Sequence, residues 1–189
     1  MRLLPTLLCL LPLIAHSQTA APVIVIEQTR KIDVAVEAMG GAEGSTATKV
    51  LTDDLNRSGV CRVVPADSAS FVLTGSITPS GLSGRATPKA GGAAVVDKSF
   101  SGDSRRAAHL FADAVVEALT GTPGFASSRI TFASASGAKK NKVKEIYVSD
   151  IDGANARQLT QDKSLGYGPK FSPDGGKIVY SSDKSGYRD

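Results

Sequence analysis

His16, Cys9, His109 and Cys61 are the histidines and cysteines of this chain, and the first two lie in an amino-terminal stretch that reads as a removable leader. A serine-hydrolase triad would therefore have to use His109, which sits within a helix-periodic segment, and no glycine-flanked nucleophile elbow accompanies it. Structural zinc takes about four Cys or His ligands, and one of each is too few. Cys61 lies in an apolar β-type run, which points to a buried inert thiol; the alternative, a reactive thiol, has no companion redox motif. Asp53 and Asp54 are neighbours on a helix and diverge by about 100°, so they do not form an acid and base pair and are expected to face solvent, Asp54 less firmly. Asp150-Ile151-Asp152-Gly153-Ala154-Asn155 hints at a calcium loop, but Asn155 and Gln161 stand where that loop needs glycine and an acid, so a hairpin turn is expected. The glycines between Gly75 and Gly92 match neither phosphate-cradling spacing. The chain is thus expected to be no enzyme, with no catalytic residue, metal or cofactor.

The residues that could bind a partner depend on where the exported chain begins. Arg2, an apolar run from Leu3 to Ile14 and small Ala15 and Ser17 form a signal peptide over residues 1–17, with cleavage between Ser17 and Gln18. The run contains Pro5 and Pro12 and falls short of the roughly 20 apolar residues a spanning helix needs. No later stretch reads as a membrane span. Leu8 precedes Cys9 where a lipoprotein signal has a small residue, which argues against lipidation. A periplasmic location follows. Cys61 alone remains in the mature chain and cannot close an intramolecular disulfide, so packing must supply stability.

A length of 189 residues with 41% hydrophobic and 21% charged content allows one globular core, or one plus part of another. Net charge is +4 with a pI near 9.1, but the basic residues are dispersed apart from Lys139, Lys140, Lys142 and Lys144. That cluster reads as a solvated loop, and no nucleic acid is expected as a partner.

Several elements can be placed by periodicity. Residues 22–26 and the alternating stretch 31–36 read as strands. Ser45 is positioned to cap a helix carrying Ala47, Val50, Leu51 and Leu55, closed at Gly59. Strands are expected over 61–64 and 71–77, then a hairpin over 83–100 turning at Ala90, Gly91 and Gly92. Ser104 is placed to cap a second helix with an apolar stripe of Ala107, Leu110, Phe111, Ala114, Val115, Ala118 and Leu119, ended by Gly121 and Pro123. Short β-type runs follow, which sets a boundary between Gly121 and Ser128.

Beyond that boundary Arg129-Ile130-Thr131-Phe132-Ala133-Ser134 is echoed by Lys177-Ile178-Val179-Tyr180-Ser181-Ser182, a period of about 48 residues typical of propeller blades. Ile146-Tyr147-Val148 reads as a buried strand, Asp152-Gly153 as a tight turn, and Phe171-Ser172-Pro173-Asp174-Gly175 as a turn leading to the next strand. The chain is expected to stop mid-blade at Asp189, leaving residues beyond Ser128 poorly supported alone.

These motifs together resemble the TolB family of the Tol-Pal system. Val23-Ile24-Val25-Ile26-Glu27 is similar to the segment that opens mature members, and Asp54-Leu55-Asn56-Arg57-Ser58-Gly59 to the end of their first helix. Leu119-Thr120-Gly121, Gly124-Phe125 and Arg129-Ile130 resemble the junction of the α/β domain with the propeller, and Ser172-Pro173-Asp174-Gly175 the blade turn. The resemblance implies an α/β domain over residues 18–124, a mixed sheet with two helices, and over 125–189 an incomplete WD40-like or TolB-like β-propeller of about one and a half blades. Two departures stand out: Cys61 occupies a position commonly aromatic, and the stretch from Asp67 to Phe71 is too short for the family's second helix.

The resemblance further implies a non-enzymatic periplasmic scaffold supporting outer-membrane integrity, cell division and protein import. A TolA-like inner-membrane partner would be met by Pro22, Val23, Ile24, Val25, Ile26, Glu27, Gln28 and Thr29, an extended segment able to add to a sheet edge. The same segment can equally be a strand of its own sheet. A Pal-like lipoprotein would bind only a complete propeller. Two other readings remain open: an exported peptidase or hydrolase whose propeller gates a catalytic domain beyond Asp189, and a free-standing α/β adhesion or assembly module.

Overall fold

A computed structural model describes residues 30–138 and 141–187. The leader, its cleavage site at Ser17 and Gln18, the strand expected over 22–26, the proposed partner segment from Pro22 to Thr29, and Lys139 and Lys140 lie outside the described residues.

Alternation of apolar side chains produces strand β1 (Ile32–Val36), and the 3.6-residue recurrence of Ala47, Val50, Leu51 and Leu55 produces helix α1 (Gly44–Arg57). Strand β2 (Cys61–Val63) returns parallel to β1, completing a strand-helix-strand unit. A short 3₁₀ turn (Ala66–Ser68) follows β2, and β3 (Phe71–Thr78) then joins the opposite side of β1, again parallel. Antiparallel hairpins add β4 (Gly81–Pro88) and β5 (Val96–Ser101), so the five strands run in the order β2-β1-β3-β4-β5. Helix α2 (Ser104–Thr120) packs on α1, β4 and β5. This is the mixed sheet with two helices expected from the sequence.

Val34, Leu51, Leu55, Cys61, Leu73, Phe111 and Val115 are fully enclosed between sheet and helices. Burial of side chains of this size contributes about 1.5–3 kcal/mol each, before the cost of ordering them. Gly84 is what lets α2 approach β4: a Cβ there would come within 2.9 Å of the Phe111 ring and 2.7 Å of Leu82.

Three local expectations are corrected. Helix α1 starts one residue before Ser45, with Glu43 at its N-cap and no capping side chain; Thr48 Oγ1 instead accepts the Met39 N–H, tying the incoming chain to the first turn. Helix α2 is capped by Asp103, whose side chain accepts the Arg106 N–H at 2.9 Å. Ser104 lies inside the helix and donates to Glu43 Oε2 at 2.5 Å, linking the starts of the two helices. The buried arc of α2 takes in Ala108, His109, Ala112 and Val116, while Ala118 is exposed, because α2 packs on α1 as well as on the sheet. The expected helix ends stand: Gly59 and Gly121 have φ of 77° and 72°.

Strands β6 (Arg129–Ser136), β7 (Val143–Asp150) and β8 (Arg157–Gln158) form an antiparallel three-stranded sheet, and β9 (Gly166–Phe171) pairs with β10 (Ile178–Ser182) in a hairpin beside it. The two sequence echoes fall on β6 and β10, in separate sheets. Ile146 and Val148 are buried on β7, and the turn expected at Ser172 to Gly175 joins β9 to β10 with Gly175 at φ 67°. Buried Glu145 organises the return from β8: its carboxylate accepts Thr160 Oγ1 at 2.5 Å and the N–H groups of Asp162 and Lys163 at 3.2 and 2.8 Å.

Candidate functional site: a buried charged seam

Arg105, His109 and Asp113 recur every four residues along α2, so they form one polar line beside the Ala, Val and Phe side chains that the helix buries. Asp54 on α1 stands three residues after Leu51 and four after Val50, which turns it toward the core; it is 4% exposed, against the expectation that it faces solvent. The interface between the two helices brings Asp54 and His109 together. His109 Nδ1 lies 2.6 Å from Asp54 Oδ2, and Arg57 Nη1 donates to Asp54 Oδ1 at 3.1 Å. Both carboxylate oxygens are thus used, as a buried charge requires.

The Asp54 hydrogen bond raises the affinity of His109 for a proton above that of an ordinary histidine, outweighing burial, which acts the other way. Nε2 of the same ring is buried and has no hydrogen-bond partner among the described residues. The turn that follows β7 lies beside this ring, with one carboxylate oxygen each of Asp150 and Asp152 within 4.8 Å of a ring nitrogen. Arg105 forms an ion pair with Asp152 Oδ2, whose other oxygen accepts the Ala154 N–H at 3.0 Å. Burial pushes the Asp152 carboxyl upward, but Ala154 and Arg105 more than offset it, and the group is held below the usual carboxylate range. Asp150 Oδ2 accepts from Asn155 Nδ2 at 2.7 Å, and the Asp150 N–H donates to the Ala154 carbonyl at 3.0 Å. The segment that hinted at calcium is therefore a closed hairpin turn, with Gly153 and Asn155 at positive φ.

One helical turn further along α2, the Asp113 carboxylate accepts the Ala126 and Ser127 N–H groups at 2.6 and 2.9 Å, holding the chain that leaves α2 against the helix. Gly124 makes this possible, because a Cβ there would lie 2.6 Å from Asp113 Cα. A narrow, mostly apolar cleft beside it is lined by Asp54, Arg57, Val116, Phe125 and Ile151. Cys61 stays apart from all of this. Its thiol is fully buried and unpaired, and burial raises its pKa.

In the sequence Asp150 and Asp152 stand together in a segment that hints at a calcium loop, and His109 stands apart from them as a triad candidate without a nucleophile. The fold joins them: a His109 ring nitrogen and one carboxylate oxygen from each aspartate all lie within 4.8 Å of one another. No other such group of Cys, His, Asp and Glu is found among the described residues. The four-residue spacing of Arg105, His109 and Asp113 is a readable sign of a polar line on α2. Nothing local marked Asp54 and Asp152 as their partners.

No family model matches the chain. The Tol-Pal system protein TolB of Jannaschia sp. is 30% identical to it over 182 residues, which cover 79% of the chain and 41% of that protein. The TolB of Roseobacter denitrificans is 42% identical over 83 residues, 44% of the chain and 19% of the relative; that of Sphingopyxis alaskensis is 43% identical over 94 residues, 48% and 21%. The chain is thus homologous to part of the Tol-Pal system protein TolB. A crystal structure of TolB from Acinetobacter baumannii superimposes with a TM-score of 0.72 at 21% identity, covering 86% of the chain and 49% of that structure, a likeness of fold. The chain thus spans about half, or less, of the length of the TolB proteins it matches. Among the described residues no helix is long and apolar enough to cross a membrane.

Proposed function

We propose that the chain is a periplasmic component of the Tol-Pal system that works as a non-enzymatic protein-binding scaffold, supporting outer-membrane integrity, cell division and protein import. Similarity to TolB proteins carries this reading, since the aligned stretch of the Jannaschia relative takes in most of the chain. In this reading residues 1–17 are an export signal, residues 18–124 form an α/β domain, and residues 125–189 begin a β-propeller whose first strands are β6 to β10. A further support is the use made of its chemically capable side chains. Asp54, His109, Arg105, Asp152 and Asp113 fasten elements to one another, as a scaffold that must transmit force or position partners requires.

The partner contact is assigned to Pro22, Val23, Ile24, Val25, Ile26, Glu27, Gln28 and Thr29, whose β-branched character suits addition as a strand to the sheet edge of a TolA-like inner-membrane protein. Binding of a Pal-like lipoprotein is part of this reading only for a chain carrying a complete propeller. Calorimetric titration of a TolA periplasmic domain into the chain, and into a copy lacking residues 22–29, tests the assignment. Loss of binding in the shortened copy supports it, and equal affinities overturn it.

A further inference from the structure

We propose that the seam between α2 and the turn after β7 binds one divalent cation of the zinc class, ligated by His109 and by the carboxylates of Asp150 and Asp152. The three donor atoms already lie within 4.8 Å of one another. Bonds of about 2.0–2.2 Å to zinc set neighbouring ligand atoms about 3.3 Å apart, so modest side-chain rotations complete the approach. Proximity of two acids to a histidine would not by itself make a site. The decisive second observation is His109 itself, 3% exposed, with Nδ1 committed to Asp54 and Nε2 buried without a partner among the described residues. A buried polar nitrogen left unpaired is costly, and a cation at Nε2 removes that cost.

Asp54 then acts as a positioning residue. It accepts Nδ1–H, fixes the tautomer and orients the ring, which is the carboxylate–histidine–metal arrangement found around bound transition metals. Each ligand carboxylate retains lone pairs: Asp150 Oδ2 takes only Asn155, and Asp152 spends its oxygens on Arg105 and Ala154. The cation takes the place of any proton on Nε2, which passes to solvent. One imidazole with two carboxylates suits a borderline ion such as zinc, whereas calcium takes six to eight oxygens that this turn does not provide. The ligands come from α2 and from the end of β7, so the ion would clip the helix-backed sheet to the three-stranded sheet. This inference does not depend on the scaffold reading or on residues 22–29.

Calorimetric titration of the chelator-treated chain at pH 7.5 with zinc chloride, and separately with calcium and magnesium chloride, tests it. One zinc per chain is expected, with calcium and magnesium much weaker. Asp150→Asn and His109→Gln are each expected to weaken zinc by about 100-fold or more, and Asp54→Asn by about 10–100-fold. Cobalt(II) bound to the Asp54→Asn protein is expected to show a shifted visible absorption, because ring orientation changes at the ion. Circular dichroism checks that each variant is folded, and Asp150→Asn, at the partly exposed end of β7, carries the test should His109→Gln unfold. Absence of zinc binding, or binding that survives Asp150→Asn unchanged, overturns the proposal.

Discussion

Replacing Asp54 by alanine removes the only side-chain hydrogen-bond partner that a buried histidine has among the described residues, and the cost can be worked from the contacts. His109 and Asp54 have side chains 3% and 1% exposed, and breaking such a pair from one side typically costs about 3–5 kcal/mol. The Arg57 arm adds little, under about 1 kcal/mol, because that side chain is 45% exposed and can be hydrated when released. Asp54→Ala is therefore expected to lose about 3 kcal/mol or more. Asp54→Asn keeps an oxygen to accept Nδ1–H and should lose about 1–2 kcal/mol. Urea unfolding followed by circular dichroism measures both, and a cycle with His109→Ala should give a coupling of about 2 kcal/mol. The exposed Lys49–Asp53 pair, four residues apart on α1, serves as the control, with a coupling under about 0.5 kcal/mol. If Asp54→Ala stays within about 0.5 kcal/mol of the parent, the view of the seam as a structural fastener is refuted.

Asp113→Ala removes two backbone N–H partners at once and should cost about 2–3 kcal/mol, accompanied by faster proteolytic cleavage near Gly124 to Ser127; unchanged cleavage would contradict the clamp. Cys61 should resist thiol reagents in the folded chain at pH 8, reacting only as fast as the protein opens, which timed labelling with and without urea measures. The raised thiol pKa makes stability from the neutral thiol fully present below the ordinary thiol range and lost as pH rises through the folded value; Cys61→Ala should flatten that alkaline decline in urea midpoints.

Much of the helix-backed sheet could be read directly, because its signals are local. The alternation in β1, the helical recurrence in α1 and the glycines at 59 and 121 each act over a few residues, and burial in the fold follows the same periods. Helix starts were less legible: Asp103 and Ser104 can both cap, and the decision rests on Asp103 having extended backbone, with φ −65° and ψ 169°. Charged residues were misread where burial depends on a distant partner. Asp54 carries the periodicity of its apolar neighbours, but its charge argues for solvent until His109, 55 residues away, supplies the hydrogen bond. Glu145 was missed for the same reason, since its partners Thr160, Asp162 and Lys163 come from a loop that only the packed chain brings back.

The scaffold reading is tested most directly in the cell, by placing a photo-crosslinking residue at Val25 and, as a control, at Val179, an exposed β10 position. A crosslink to a TolA-like inner-membrane protein from position 25 and none from 179 is the expected result. No such crosslink from position 25, or equal yields from both, would contradict a partner contact made through residues 22–29.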